Sequence, residues 1–444
     1  MATKKRNYTN FERIKDKGKR LESLINLSND IVANESRAIM SFNDFLWQVS
    51  KNPEKSLRDI FQLFYDMIKY YVPEGKDEYG DSENSIGFLL YDFSKLFVKD
   101  CDNPFFADRL FANRFINLVK GFRKGVQNNH IYLFEGPPGS GKSTFLNNLL
   151  SKVEAYTKTT EGVMYRTVWR LDIEKLYGIR KEMFEMTDTN NLTINNIKLN
   201  KKYIDVNCPN NDHPILLIPK NHRKKFLDEL IPDKKFKENL FNSKEYNWVF
   251  KEEPCSICTS LYNNLLDILG EPIKVYDMLK VKYTSFSRQF GRGVSIYNPG
   301  DDIHSRPITD NTVQNTINEI FGNDEIKYIY SYLALTNNGI FTLMDIKEHN
   351  IERLIDLHGI ISDGVHKVDL IEERIKSLFL GVINPEDKKH YENVKSFRYR
   401  VITVSIPYIL DYNTEVAIYK NKFGENIENF FLPRIISNFA KIII

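Results

Sequence analysis

Several things are scarce in this chain, and each scarcity narrows the field. Only four cysteines occur in 444 residues, too few for the framework of a disulfide-stapled secreted domain. No apolar run approaches the roughly 18 residues that a membrane-spanning helix requires. Neither charge sign is in excess: 62 basic side chains face 59 acidic ones, for a net charge of +3. That balance neither demands nor forbids a nucleic-acid partner. The N-terminal basic cluster, Lys4-Lys5-Arg6, reads as a solvated tail, with no apolar stretch behind it to make an export signal. No internal repeat and no low-complexity tract is present. What remains is an ordinary globular composition, expected in the cytoplasm without a membrane partner, and too long for a single core.

One stretch organises the rest. Ile131-Tyr-Leu-Phe134 is β-prone and runs into Gly136-Pro137-Pro138-Gly139-Ser140-Gly141-Lys142-Ser143, after which Thr144 to Leu150 has helical spacing. This is G-x-x-x-x-G-K-S between a strand and a helix, the arrangement that cradles a polyphosphate. The glycines allow dihedrals closed to other residues, so backbone N–H groups turn inward on the phosphates. The helix opening at Gly141 adds its positive end. Lys142 reaches the β- and γ-phosphates, and the Ser143 hydroxyl is a hard ligand for Mg²⁺. The expected ligand is a nucleoside triphosphate, ATP by default.

Around this motif the chain reads as an α/β protein. Phe42, Phe45, Leu46 and Val49, then Leu57, Ile60, Phe61 and Phe64, recur at helical spacing, within a region from 8 to about 75 expected to be helical. Residues 76–85 read as a loop, and Asp108 to Lys120 as another amphipathic helix. After the P-loop helix, Gly162 to Asp172 alternates like a second strand. The next buried-strand candidate, Gly339-Ile-Phe-Thr-Leu-Met-Asp345, comes about 165 residues later, so most of 175–335 is expected to be an insertion. Asp363-Gly364 suits a two-residue hairpin turn. Ser377 to Ile383 and Val401 to Ile406 are further strands. Strands alternating with helices imply a largely parallel sheet with its ligand at the carboxyl ends. The expected division is an N-terminal helical region (1–105), a nucleotide-binding core (106–410) and a C-terminal helical segment (411–444).

Hydrolysis needs an acid near the γ-phosphate. Asp345, closing an apolar strand, is the candidate; Met344 stands where a second acid is usual, and Glu348 is the understudy. Asn384 ends the following strand, where an amide can hold water or the γ-phosphate. Arg398 and Arg400 precede the last strand, where an arginine can reach a nucleotide on a neighbouring subunit.

This order of elements resembles an AAA+ module. It is most similar to the PrkA type, the bacterial and archaeal serine protein kinase/ATPase family, at Asn338-Gly-Ile-Phe-Thr-Leu-Met-Asp345 and at Arg400-Val-Ile-Thr-Val-Ser-Ile-Pro-Tyr408 followed by Glu415 to Tyr419. Gly291-Arg-Gly-Val-Ser-Ile-Tyr-Asn-Pro-Gly-Asp301 is similar to a turn in that family's insertion. The resemblance implies nucleotide contacts from Gly136 through Thr144, a catalytic acid at Asp345, a sensor at Asn384, an arginine finger at Arg400 and a homo-oligomeric ring. The family's kinase-like C-terminal domain has no counterpart, so kinase activity is not carried over. Residues 411–444 would begin a helical lid. Ile435, Ile436, Phe439, Ile442 and Ile443 fall on one face of a helix after Pro433, and the expectation is that this lid is incomplete and the chain part of a longer protein.

Cys208-Pro-Asn-Asn-Asp-His213 and Cys255-Ser-Ile-Cys258 supply four ligands for a structural zinc, with His222 as a substitute for His213. Reduced, unliganded thiols are the alternative. Three functions are compatible with these features: an oligomeric ATPase that remodels a protein or nucleic-acid partner; a nucleotide-switched scaffold in an antiphage defence or signalling assembly; and, least favoured, a compact P-loop kinase of small molecules, in which the insertion and Arg400 have no role.

Overall fold

The computed structural model describes residues 21, 22, 24, 39–77, 88–124, 130–185, 202–301, 307–347, 357–389, 399–409, 412–423 and 434–443. Packing divides the chain into two compact units, Met1–Met40 and Ser41–Ile444, and the P-loop motif belongs to the second. Most of the helical region expected before residue 40, together with Glu348, Arg398 and most of the 76–85 loop, lies outside the described residues.

Four helices lead to and from the P-loop: α1 (Phe42–Lys51), α2 (Ile60–Tyr71), α3 (Arg109–Phe122) and α4 (Lys142–Thr157). Reciprocal capping boxes start the first two, Ser41 with Asp44 and Asp59 with Gln62, and Asp108 caps the third. Their apolar stripes bury Phe42, Phe45, Phe61, Phe64, Phe111 and Phe115. Phe145, on the first turns of α4, is the hub of this packing, with the rings of Phe97, Phe105, Phe111, Phe115 and Phe134 all within 5.6 Å of it, centroid to centroid. Since such pairs add to area burial, this cluster fixes the angle at which strand passes into helix.

Ten strands make up most of the β-structure: β1 (Ile131–Glu135), β2 (Met164–Asp172), β3 (Tyr203–Asn207), β4 (Leu279–Thr284), β5 (Val294–Tyr297), β6 (Ile340–Ile346), β7 (Val365–Val368), β8 (Ile371–Arg374), β9 (Leu378–Ile383) and β10 (Val401–Ser405). Five of them make a parallel sheet in the order β10-β1-β9-β6-β5. Tyr132, Phe134, Leu380 and Val382 pack into one core, while Ile131, Leu133, Phe379 and Ile383 pack into another on the opposite face. This two-sided burial is why these strands read as unbroken apolar runs. The fold is a mixed α/β architecture compatible with that of P-loop nucleotide-binding proteins.

Two assignments change. The strand expected to follow the P-loop helix, Gly162 to Asp172, is β2, but it belongs to a second, antiparallel sheet between β3 and β4. Beside β6 in the parallel sheet stands β5 instead. The excursion from the parallel sheet therefore already includes β2 and ends at Val294. Arg166 and Arg170 alternate with buried neighbours along β2; that half-polar pattern marks a one-sided, antiparallel strand and not a buried parallel one. Asp363-Gly364 is likewise not a hairpin turn. Gly364 (φ 68°) caps the short helix His358–Asp363, and the hairpin β7–β8 turns at Asp369-Leu370, where Asp369 takes φ 55°.

At the C-terminal end, helices Tyr412–Phe423 and Ile435–Ile443 meet through Tyr419 and Phe439, whose rings are 5.7 Å apart. Of the expected apolar face, Ile435, Phe439 and Ile442 are exposed, whereas Ala440, outside that face, is buried. No helix among the described residues is long and apolar enough to cross a membrane.

Candidate functional site

The P-loop rises from the carboxyl end of β1, near the middle of the parallel sheet. Gly139 and Gly141 both take φ 83°, a left-handed conformation that favours glycine. Gly136 is required by space: a Cβ there would sit 2.3 Å from the Ile406 carbonyl oxygen. Its N–H donates to the Ile383 carbonyl at 3.3 Å, and Ile406 N–H donates to the Glu135 carbonyl at 2.6 Å. The loop is thus tied to both neighbouring strands. Lys142 lies inside it, buried, with Nζ donating to the carbonyls of Gly136 (2.7 Å) and Pro137 (2.8 Å). Burial pulls the Lys142 ammonium below its usual range, against the attraction of Asp345. Ser143 is exposed at the start of α4, and the buried Ser140 Oγ has no hydrogen-bond partner.

Asp345 stands two strands away on the same edge. Between β6 and β9 the register slips, from Gly381 opposite Leu343 to Ile383 opposite Ile346, so Met344 and Asp345 together face Val382. This extra residue kinks the strand end, and Asp345 takes φ 53°. Bulges of this kind re-aim side chains beside active sites, and non-glycine residues in the left-handed region mark constrained positions. Met344 instead packs against the core. Lys347 Nζ approaches Asp345 Oδ2 at 3.3 Å. Asn384 follows β9 between the two, in a turn where Asp387 N–H donates to its carbonyl at 3.1 Å.

Arg400 lies elsewhere. Its carbonyl accepts from Ile131 N–H at 2.8 Å, at the amino end of β1. Five residues of strand, about 16 Å, separate that point from the P-loop. A guanidinium nitrogen of Arg400 meets His358 Nε2 at 2.8 Å. Side chains that the sequence did not single out also reach the P-loop edge. Lys388 pairs with Glu135 at 3.0 Å, and the exposed Tyr408 donates from its hydroxyl to the Pro138 carbonyl at 2.9 Å.

In the excursion, Cys208, Cys255 and Cys258 come together with Asp212, their donor atoms all within 4.8 Å of one another and all four residues buried. This cluster can hold a metal ion. His213, expected as the fourth ligand, is not part of it: Nε2 is 2.8 Å from the Ser56 carbonyl, and Nδ1 accepts from Ile215 N–H at 3.3 Å. Burial holds the His213 pKa down at about 4, so the ring is neutral. His222 is exposed on helix Lys220–Leu230. The C-x₃-D spacing of Cys208 and Asp212 was the available signal for the true fourth member. Cys255 caps helix Ser256–Leu269, and its sulfur accepts from Cys258 N–H at 3.4 Å. Asp212 N–H (3.4 Å) and Trp169 Nε1–H (3.4 Å) point at Cys208 and Cys258, and Cys255 N–H donates to Asp212 Oδ2 at 2.8 Å. Such outer contacts orient ligands around a metal. Burial pushes Asp212, Cys255 and Cys258 well above their usual ranges, whereas, against burial, hydrogen bonds with Cys255, Cys258 and Asp212 hold Cys208 well below its own.

No family model matches the chain, and no curated protein does.

Proposed function

We propose that this chain binds ATP with Mg²⁺ and hydrolyses it as an AAA+-type ATPase, working in a homo-oligomeric ring that remodels a protein or nucleic-acid partner. One observation carries the reading: a G-x-x-x-x-G-K-S loop and a re-aimed aspartate share the carboxyl edge of one parallel sheet. Backbone N–H groups from Gly139 to Ser143 would surround the phosphates, with Lys142 on the β- and γ-phosphates and Ser143 on Mg²⁺. The metal supplies neutralisation of the charge that builds on the transferred group. Asp345 would accept a hydrogen bond from the attacking water, and Asn384 would fix its position. Asp345→Asn keeps shape and loses charge, so ATP should still bind while steady-state phosphate release falls by a factor of roughly 100 or more. Undiminished release would remove Asp345 from the reaction.

A nucleotide-switched scaffold, as in a defence or signalling assembly, is the second reading. It is favoured by the single acid at the β6 end and its pairing with Lys347, both suited to slow turnover. Phosphate release measured with and without candidate partners separates the two.

Arg400 is too far along the sheet to serve its own P-loop, so its role on nucleotide would be played across a subunit interface. Arg400→Ala should spare ATP binding and depress turnover of the assembly by a factor of about 1000. Mixing it with Lys142→Ala should then restore part of the activity, because some junctions regain an intact pair. Absence of recovery in verified mixed assemblies would count against the interface role.

For the cysteine cluster we infer a structural zinc. Four ligands about 2.3 Å from a tetrahedral centre lie about 3.8 Å from one another, and Cys208 Sγ and Cys255 Sγ are 3.8 Å apart. Three thiolates and a carboxylate suit zinc better than a hard cation.

A further inference from the structure

Away from the P-loop, three cations converge with little to balance them. Arg166 on β2 and Lys282 on β4 are directly opposed in the antiparallel register, a placement in which like charges destabilise a sheet. Arg292, from the turn before β5, completes the group: burial and Arg292 both lower the Arg166 pKa, and burial, Arg166 and Arg292 lower that of Lys282. Arg166 Nε is buried with no hydrogen-bond partner, as is Oγ1 of Thr284, two residues beyond Lys282. Of the acids nearby, Asp205 acts favourably on Lys282 but is held by Arg170 through two contacts of 2.7 Å. Cys208, which belongs to the metal cluster, and Tyr328 are the other groups that favour the charged form of Arg166.

Arg166, Lys282 and Arg292 are each half-buried, where like charges held together are costly, so a fold that gathers them has an anion to receive. An aromatic platform adjoins them. Phe290 is 69% exposed at the tip of the same turn, with the Arg292 guanidinium 5.6 Å from its ring centre. The turn is anchored where Phe286 N–H donates to Thr157 Oγ1 at 2.9 Å. Thr157 ends α4, about 22 Å of helix from Lys142.

We propose that Arg166, Lys282 and Arg292 form a phosphate-binding site distinct from the P-loop, with a single-stranded nucleic acid as the source of the phosphate and Phe290 stacking on a neighbouring base. Cationic grooves flanked by exposed aromatics are the recurring means of holding single strands. The site stands independently of the ATPase reading, and its test is made in the full chain carrying Lys142→Ala, so that no phosphate is scored at the P-loop.

Fluorescence anisotropy with a labelled 20-nucleotide single strand should show binding that weakens with salt, with a log–log slope of about −2 for three contacts. Lys282→Gln and Arg292→Gln should each weaken it roughly tenfold and flatten the slope by about 0.7. Arg170→Gln, which removes a cation already paired, should change it little. In phosphate-free buffer Lys282→Gln should also raise the melting temperature by relieving repulsion, whereas a lysine with a merely structural role would lower it when lost. If inorganic phosphate or pyrophosphate raises the melting temperature through Lys282 and Arg292 while no oligonucleotide binds, the site stands with free phosphate as its ligand. Binding of neither, or binding unchanged in both variants, overturns the proposal.

Discussion

Lys142→Ala is expected to abolish measurable ATP binding while leaving the fold intact. The ammonium already sits within the loop, held by the Gly136 and Pro137 carbonyls, and in the proposed reading it is the side-chain cation that meets the phosphates. Charge-assisted hydrogen bonds are worth about 1.5–3 kcal/mol each. Losing two of them corresponds to a rise in Kd of roughly 100-fold or more. In the free protein the same change removes two bonds to carbonyls that face the loop mouth, so the melting temperature should move little. Equilibrium titration with Mg²⁺-ATP, alongside thermal unfolding, checks both halves. A variant that binds ATP as tightly as the parent would show that the loop is not the nucleotide site.

The second large effect concerns the cysteine cluster. Protein prepared without chelator should carry about one zinc per chain, and Cys258→Ser should release it. A structural zinc site contributes directly to folding free energy. Cys208 and Asp212 lie just beyond β3 and Cys255 and Cys258 at a helix start, so their common anchor joins otherwise separate segments. Metal loss should therefore loosen the excursion around the antiparallel sheet. The fully buried Trp169, whose indole N–H meets Cys258, should report this as a change in tryptophan fluorescence. Limited proteolysis should then cut within residues 203–284 before it cuts the parallel sheet. Metal analysis that finds none, with fluorescence and proteolysis unchanged in Cys258→Ser, would mean that the cluster is simply a group of buried thiols.

The parts that could be read from the sequence are those in which local pattern and tertiary role coincide. The P-loop is a contiguous motif whose glycines have a backbone reason to be there. The strands ending at Asp345 and Asn384 are buried on both faces and so appear as apolar runs. Long-range features were harder to see. Alternation along Gly162 to Asp172 announces a strand but not its sheet, and only pairing shows that Val294–Tyr297 takes the place beside β6. His213 has the residue type and spacing of a ligand, yet packing sends its ring to the Ser56 carbonyl and leaves Asp212 with the sulfurs. The bulge that turns Asp345 depends on the register with β9. The opposition of Arg166 and Lys282, more than a hundred residues apart, is likewise set by strand pairing alone.

A P-loop that binds ATP beside an acid able to direct its hydrolysis can be tested on both counts by a single measurement: titrate the unaltered chain with ATP in the presence of Mg²⁺, then follow the bound nucleotide to ADP and phosphate. The prediction is one ATP per chain, turned over by the parent and retained unhydrolysed by Asp345→Asn. No binding up to millimolar ATP, or binding whose hydrolysis is indifferent to Asp345, would contradict it.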